Sequence, residues 1–390
     1  MSPTLIAFNT SDFMLMNYSN TSEHTLQELE WEIFVEQGIP VTVFLCVMSV
    51  VGTLGNALVI LTVGRCGRWL NYKILIQYLS VNDLFSCAFS IPGYIVLTRF
   101  PYTLRSDAFC KSATMFHIFV GAYSVDLLCF IALERFRKTC RPFKPQFTVK
   151  YTKIVIACLA VFNLALASFG LFTFSAQPIP VHVGNLIGIR CMILKESIFA
   201  KVFSKTLSLL LLLKIVVCTI LYIIIGNRIL KHRKQRPRTA SFRFQSSRNS
   251  KQNSNEESYK DFKSETVNGA QRMSAKSVTS FELSISSRNG DSTRHKNALK
   301  GKALFTKSAR ISFMFLMCTC LSFISFVPVL IIRCVESFDW QLRKDMFEYL
   351  GPMAAILYRF HVLNHVINPI VYCLTNASFR RDCTSIFKCQ

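Results

Sequence analysis

Asp83 lies in Leu79-Ser80-Val81-Asn82-Asp83-Leu84, a stretch otherwise apolar enough for a bilayer interior. Asn56 stands in a similar setting, Gly55-Asn56-Ala57-Leu58-Val59, and Asn364, His365 and Asn368 share another. Glu134-Arg135 closes a further apolar block at one end. Each charged group so placed costs about 2.5–3.5 kcal/mol to insert, so those that are retained are candidates for function. Hydrolysis inside a membrane would need a Ser/His or paired-acid constellation. Away from the block ends only Asp83 and Asp126 are acidic, Glu134 belonging at an interface, which argues against an enzyme. The 15 cysteines contain no CxxC pair and lack metal-site spacing.

The elements that must position these groups follow from composition. Of 390 residues, 51% are hydrophobic and 17% charged, against about a quarter charged in soluble chains. The apolar residues gather into seven blocks near 38–64, 72–98, 108–138, 151–174, 198–229, 307–333 and 347–373. Each is long enough to cross a hydrocarbon core as a helix. The net charge of +23 sits between the blocks, which spare Lys and Arg. That pattern fits a bilayer rather than a nucleic acid, which calls for a basic face on a soluble fold. The expected class is an all-α membrane protein.

Residues 1–37 form a polar tail with sequons at Asn9, Asn17 and Asn20, which favours an extracellular, glycosylated segment. No cationic stretch precedes an early apolar core, so no cleavable signal peptide is expected. Spans one to five occupy 38–230 and spans six and seven 307–374. Between them, 231–306 is basic and poor in aliphatic clusters, and is expected to lack a packed core. Its Arg238-Thr239-Ala240-Ser241 is either a basophilic-kinase site or plain linker. Residues 375–390 form a short inner tail. Arg65, Arg68 and Lys73 in the first loop, six Lys/Arg from Arg137 to Lys153 in the third, and Arg380 and Arg381 in the tail share one side if there are seven crossings. The N-terminus is therefore expected outside and the C-terminus in the cytoplasm.

Taken in register, these residues resemble the rhodopsin-like (class A) G-protein-coupled receptors. The carriers are Gly55-Asn56, Asn82-Asp83, Glu134-Arg135-Phe136, Ser325-Phe326-Val327-Pro328, Asn368-Pro369-Ile370-Val371-Tyr372 and Asn376-Ala377-Ser378-Phe379-Arg380-Arg381. The resemblance implies a seven-transmembrane helix bundle with a short amphipathic eighth helix. It implies coupling to a heterotrimeric G-protein through Glu134, Arg135, Phe136, Pro142, Phe143, Tyr222, Phe326, Pro328, Asn368, Pro369 and Tyr372, with arrestin and receptor kinases as further partners. Pro328 and Pro369 each remove a helix hydrogen bond and so permit a hinge. The family's second ionic restraint is missing, since no acid stands near Ser308. Asp83, Ser124, Asn364 and Asn368 match a sodium pocket in relatives, with a protonated Asp83 in a polar water network as the alternative. No other cofactor is expected. The resemblance also implies a disulfide between Cys110 and Cys191, palmitoylation at Cys383 and Cys389, and a plasma-membrane location.

The ligand is approached by elimination. His117 stands where amine receptors carry an acid, and Leu357-Tyr358-Arg359-Phe360-His361-Val362 contains no Schiff-base lysine. Residues 179–192 read as a β-hairpin second extracellular loop turning at Gly184-Asn185, with an irregular loop as the alternative. Such a lid resembles the peptide-receptor branch. Tyr94, His117, Tyr123, Phe326, Arg333 and Tyr358 are the candidate ligand contacts, and each also suits plain packing. A neuropeptide is the favoured ligand; a lipid or other small molecule, a non-signalling homologue and, last, a transporter are the alternatives. Phe326 where relatives have Trp, and Ser322 where an aromatic is common, set this chain apart.

Overall fold

In lipid a helix satisfies its own backbone polar groups, which is why long apolar runs become helices there. The computed structural model describes residues 25–65, 70–181, 186–194, 196–234, 308–336 and 338–388. The sequons, the Gly184-Asn185 turn, the Arg238-Thr239-Ala240-Ser241 motif with most of 231–306, and Cys389 lie outside them. The chain divides into two units, Met1–Tyr222 with Ser312–Gln390, and Ile223–Ile311. Of the second, 223–234 and 308–311 are described, and both stretches are helical.

Among the described residues six helices are long and apolar enough to cross a membrane by length and composition: α1 (Thr25–Gly64), α2 (Asn71–Arg99), α3 (Asp107–Cys140), α4 (Val149–Phe172), α5 (Ile198–Lys234) and α6 (Ser308–Glu336). Side chains cap the start of three of them, Ser197 doing so for α5 by accepting from the Ala200 N–H. Ser106 accepts from the Phe109 N–H, and Thr148 from that of Tyr151, satisfying amides that the helix cannot. The seventh crossing is interrupted. The sequence block at 347–373 joins two helices, α7 (Trp340–Leu350) and α8 (Pro352–Arg359), because Gly351 adopts φ 50° between them. A left-handed glycine ends one helix and Pro352 starts the next. After a 3-10 turn at Phe360–Val362 comes α9 (Leu363–Thr375), and α10 (Ala377–Lys388) follows.

The first helix begins at Thr25, well ahead of the apolar block. Its Glu30 is buried, accepting from the Tyr102 and Thr103 N–H groups at 2.8 and 3.1 Å and from the Thr103 hydroxyl at 2.7 Å. Tyr102 in turn accepts from the Ile189 N–H at 2.7 Å. Ile189 belongs to an antiparallel hairpin, β1 (Phe174–Pro180) with β2 (Ile187–Ile193), paired from Phe174↔Ile193 to Pro180↔Ile187. Its first arm thus starts earlier than the β-branched residues indicate. The Cys110–Cys191 disulfide ties β2 to the start of α3. Asp107 adds a second tie, accepting from Ser175 Oγ at 2.7 Å and the Ala176 N–H at 2.9 Å.

The core holds Leu75, Leu79, Leu127, Leu128, Ile131, Phe315 and Tyr372, all fully buried. Where α1 meets α2, a Cβ on Gly52 would run into Cys87 Sγ. Large aliphatics face outward on α1 (Val43, Val50, Leu54), α4 (Val161, Leu164) and α5 (Leu209, Leu213, Val216). An exposed apolar belt of this extent marks a lipid-facing surface.

Candidate functional site

A buried polar centre lies between α2, α3 and α9. Pro369 has no N–H to give the carbonyl four residues back, that of His365. Asn56 supplies the missing donor, its Nδ2 lying 2.9 Å from the His365 oxygen. The structure then brings Asp83, Ser124, Asn364 and Asn368 together with a fifth group, the His365 imidazole. His365 Nδ1 is 2.8 Å from Asp83 Oδ1, which also accepts from Ser124 Oγ at 3.4 Å. Asn368 Nδ2 donates to Asp83 Oδ2 at 2.8 Å, and Asn364 Nδ2 to Ser124 Oγ at 2.9 Å. All five side chains are essentially solvent-free. As arranged, they do not fit a sodium ion. A hard cation needs oxygen lone pairs, and here two nitrogens, His365 Nδ1 and Asn368 Nδ2, occupy the two carboxylate oxygens.

At the opposite end of α3, Glu134 and Arg135 are both buried and paired, and Lys138 Nζ reaches the other Glu134 oxygen at 2.6 Å. No acid from α6 takes part among the described residues. The Arg135 guanidinium lies over the Phe315 ring, 5.6 Å from its centroid. Two contacts flank it: Thr139 Oγ1 with Ser312 Oγ at 3.2 Å, and Thr319 Oγ1 donating to the Tyr222 hydroxyl at 3.2 Å. Phe136 lies under the Arg141 guanidinium. Pro142 and Phe143 sit in the loop after α3, with Phe143 fully exposed. Tyr372 is buried beside Phe379 at the start of α10. Cys383 is half-buried, its Sγ 3.2 Å from Thr62 Oγ1.

The outer aromatic cluster forms around a histidine pair. His117 Nε2 and His361 Nε2 are 3.1 Å apart, and His117 Nδ1 is 2.9 Å from Ser90 Oγ. Tyr94 packs edge-on against His117 at 4.4 Å, while Phe326 stacks on His361 at 6.1 Å. Phe326, in place of the family's Trp, thus links α6 to the seventh crossing through His361. A small cleft lined by Tyr94, Leu97, Thr114 and His117 opens here. Arg333 lies over the Tyr358 ring and pairs with Glu336 at 3.3 Å. Arg359 donates to Thr98 Oγ1 at 3.2 Å. Tyr123 stands apart, with its hydroxyl 3.4 Å from the Ile156 carbonyl of α4.

One ionic contact has no counterpart in the sequence reading. The expectation that the blocks spare lysine fails along α5, at Lys201, Lys205 and Lys214, and the contact is made by Lys214. Its Nζ lies 2.7 Å from Asp126 Oδ1, and Asn163 Nδ2 donates to Asp126 Oδ2 at 2.8 Å. Asp126 therefore joins α3 to α4 and α5. A lysine in an apolar run, with one spare acid elsewhere, was the available signal.

Seven crossings around a buried polar interior define a membrane protein of the receptor type. The model for the 7 transmembrane receptor (rhodopsin family) matches residues 55–372, and the chain belongs to that family; it is a multi-pass membrane protein and not an enzyme. It is similar to the "Allatostatin-A receptor" of Bombyx mori, 32% identical over 133 residues covering 33% of this chain and 36% of that protein. It is also similar to the "Neuropeptide Y receptor type 6" of Mus musculus, 24% identical over 136 residues covering 34% and 37%. The chain thus spans just over a third of the length of these curated relatives.

Proposed function

We propose that this chain binds an extracellular peptide and activates a heterotrimeric G-protein by outward swing of α6. The observation that carries the reading is the buried Glu134–Arg135 pair covered by Phe315 of α6. Moving α6 uncovers Arg135 where a protein partner can reach it. The exposed Phe143 offers that partner an apolar anchor. The names of the two relatives, both peptide receptors, support a peptide ligand. So do the hairpin held over the outer end of α3 and the two arginines, Arg333 and Arg359, near the aromatic cluster. The topology proposed with it puts the N-terminal tail outside, glycosylated at Asn9, Asn17 and Asn20. The palmitoylated tail (Cys383, Cys389) lies in the cytoplasm at the plasma membrane.

Nucleotide exchange on a purified G-protein, driven by the receptor in nanodiscs and screened against a peptide library, tests this. Exchange should rise with at least one peptide and be lost in Arg135→Ala at equal receptor number. A response to lipids alone would replace the ligand class. Substrate uptake without exchange would remove the receptor reading.

A further inference from the structure

We infer that His365 stands in for a sodium ion at the Asp83 carboxylate, so that this receptor carries its own tethered partner for that acid and does not respond to sodium. The case begins with the buried charge. A carboxylate removed from water must be paired or hydrogen-bonded. In this chain α9 supplies a partner to each carboxylate oxygen from one turn. His365 and Asn368 lie three apart on the helix and so share a face, one reaching each oxygen of Asp83, both at 2.8 Å. The backbone that carries the imidazole is anchored at this level, because the His365 carbonyl is held by Asn56 Nδ2 at 2.9 Å and Cys87 Sγ at 3.8 Å.

The other members of the cluster point the same way. Ser124 gives its proton to Asp83 and accepts from Asn364, leaving its hydroxyl engaged in both directions. The side-chain oxygens of Asn364 and Asn368 have no protein partner. They are the second arms of amides whose N–H arms face Ser124 and Asp83. An ion would have to displace His365 and reverse Asn368 to gain its oxygen ligands. Replacing the imidazole by a short hydroxyl removes the obstacle and adds a ligand oxygen at the same place.

The test is thermal unfolding of the purified full-length receptor in NaCl against N-methylglucamine chloride at matched ionic strength and pH. It reads neither ligand nor G-protein, so its outcome is separate from that of the signalling assay. The wild type should melt at the same temperature in both salts. His365→Ser should gain a saturable rise of a few degrees in sodium, as ligand binding to the folded state produces. His365→Ala, which clears the same space, serves if the serine variant does not survive purification. A saturable sodium-dependent rise in the wild type overturns the inference. So does a sodium response absent from every folded His365 variant.

Discussion

The side-chain amide of Asn56 makes the hydrogen bond to the His365 carbonyl that Pro369 cannot make. A proline in a span frees a carbonyl, and in lipid there is no water to satisfy it. Asn56→Leu should therefore leave that buried oxygen with only the weak Cys87 thiol contact and cost about 1–3 kcal/mol. The expected readout is a fall of several degrees in the melting temperature of the purified receptor. An unchanged midpoint would mean that another group already serves the carbonyl.

The pairing also shows what a sequence can and cannot disclose. Asn56, Asp83, Asn368 and Pro369 stood out because polar residues and proline are conspicuous in long apolar runs. Seven crossings were legible for the same reason, apolar length. The break at Gly351 was hidden because hydropathy averages across it. The aim of His365 and the reach of Lys214 to Asp126 depend on how each helix is rotated. One sequence, with no partner helix in view, carries no measure of that rotation. Glu30 looks like part of a polar tail, since nothing local shows that three donors from the α2–α3 loop converge on it.

Those three donors make a local prediction. Glu30→Ala should release the Tyr102 and Thr103 amides without melting the bundle. Hydrogen bonds to a charged group contribute about 1.5–3 kcal/mol. Exchange of the two amides should then quicken by roughly one to two orders of magnitude, while amides of α3 keep their protection. Mass-spectrometric hydrogen exchange on peptides covering 100–105 reads this directly. Uniform loss of protection through the bundle would instead make Glu30 a global support.

Phe315 covers Arg135 where the sequence shows no acidic restraint. A cation over an aromatic face is stabilised by about 0.5–2 kcal/mol. Phe315→Leu keeps apolar bulk and loses the ring face, so it should weaken the resting arrangement by a comparable amount. Ligand-free nucleotide exchange should rise several-fold at equal receptor number, and Phe315→Trp should keep it low. Equal basal exchange in Phe315→Leu and wild type would show that the Glu134 pairing alone holds the resting state.

Asp126 and Lys214 face each other from α3 and α5, with side chains only 11% and 21% exposed. Removing one partner of a buried pair strands the other charge, at a cost of about 3–5 kcal/mol when burial is complete. Lys214 keeps some access to its surroundings, so Lys214→Met should cost somewhat less, about 2–4 kcal/mol. Asn163 stays bonded to Asp126 in that variant and softens the loss. Asp126→Leu combined with Lys214→Met removes both charges and should recover most of the deficit, since apolar residues replace such pairs at little cost. The quantity to measure is the interaction energy from a double-mutant cycle on unfolding midpoints. A sum that is simply additive would mean that the two side chains contribute separately, and that α3 and α5 are joined by packing around Asn163 rather than by the ion pair.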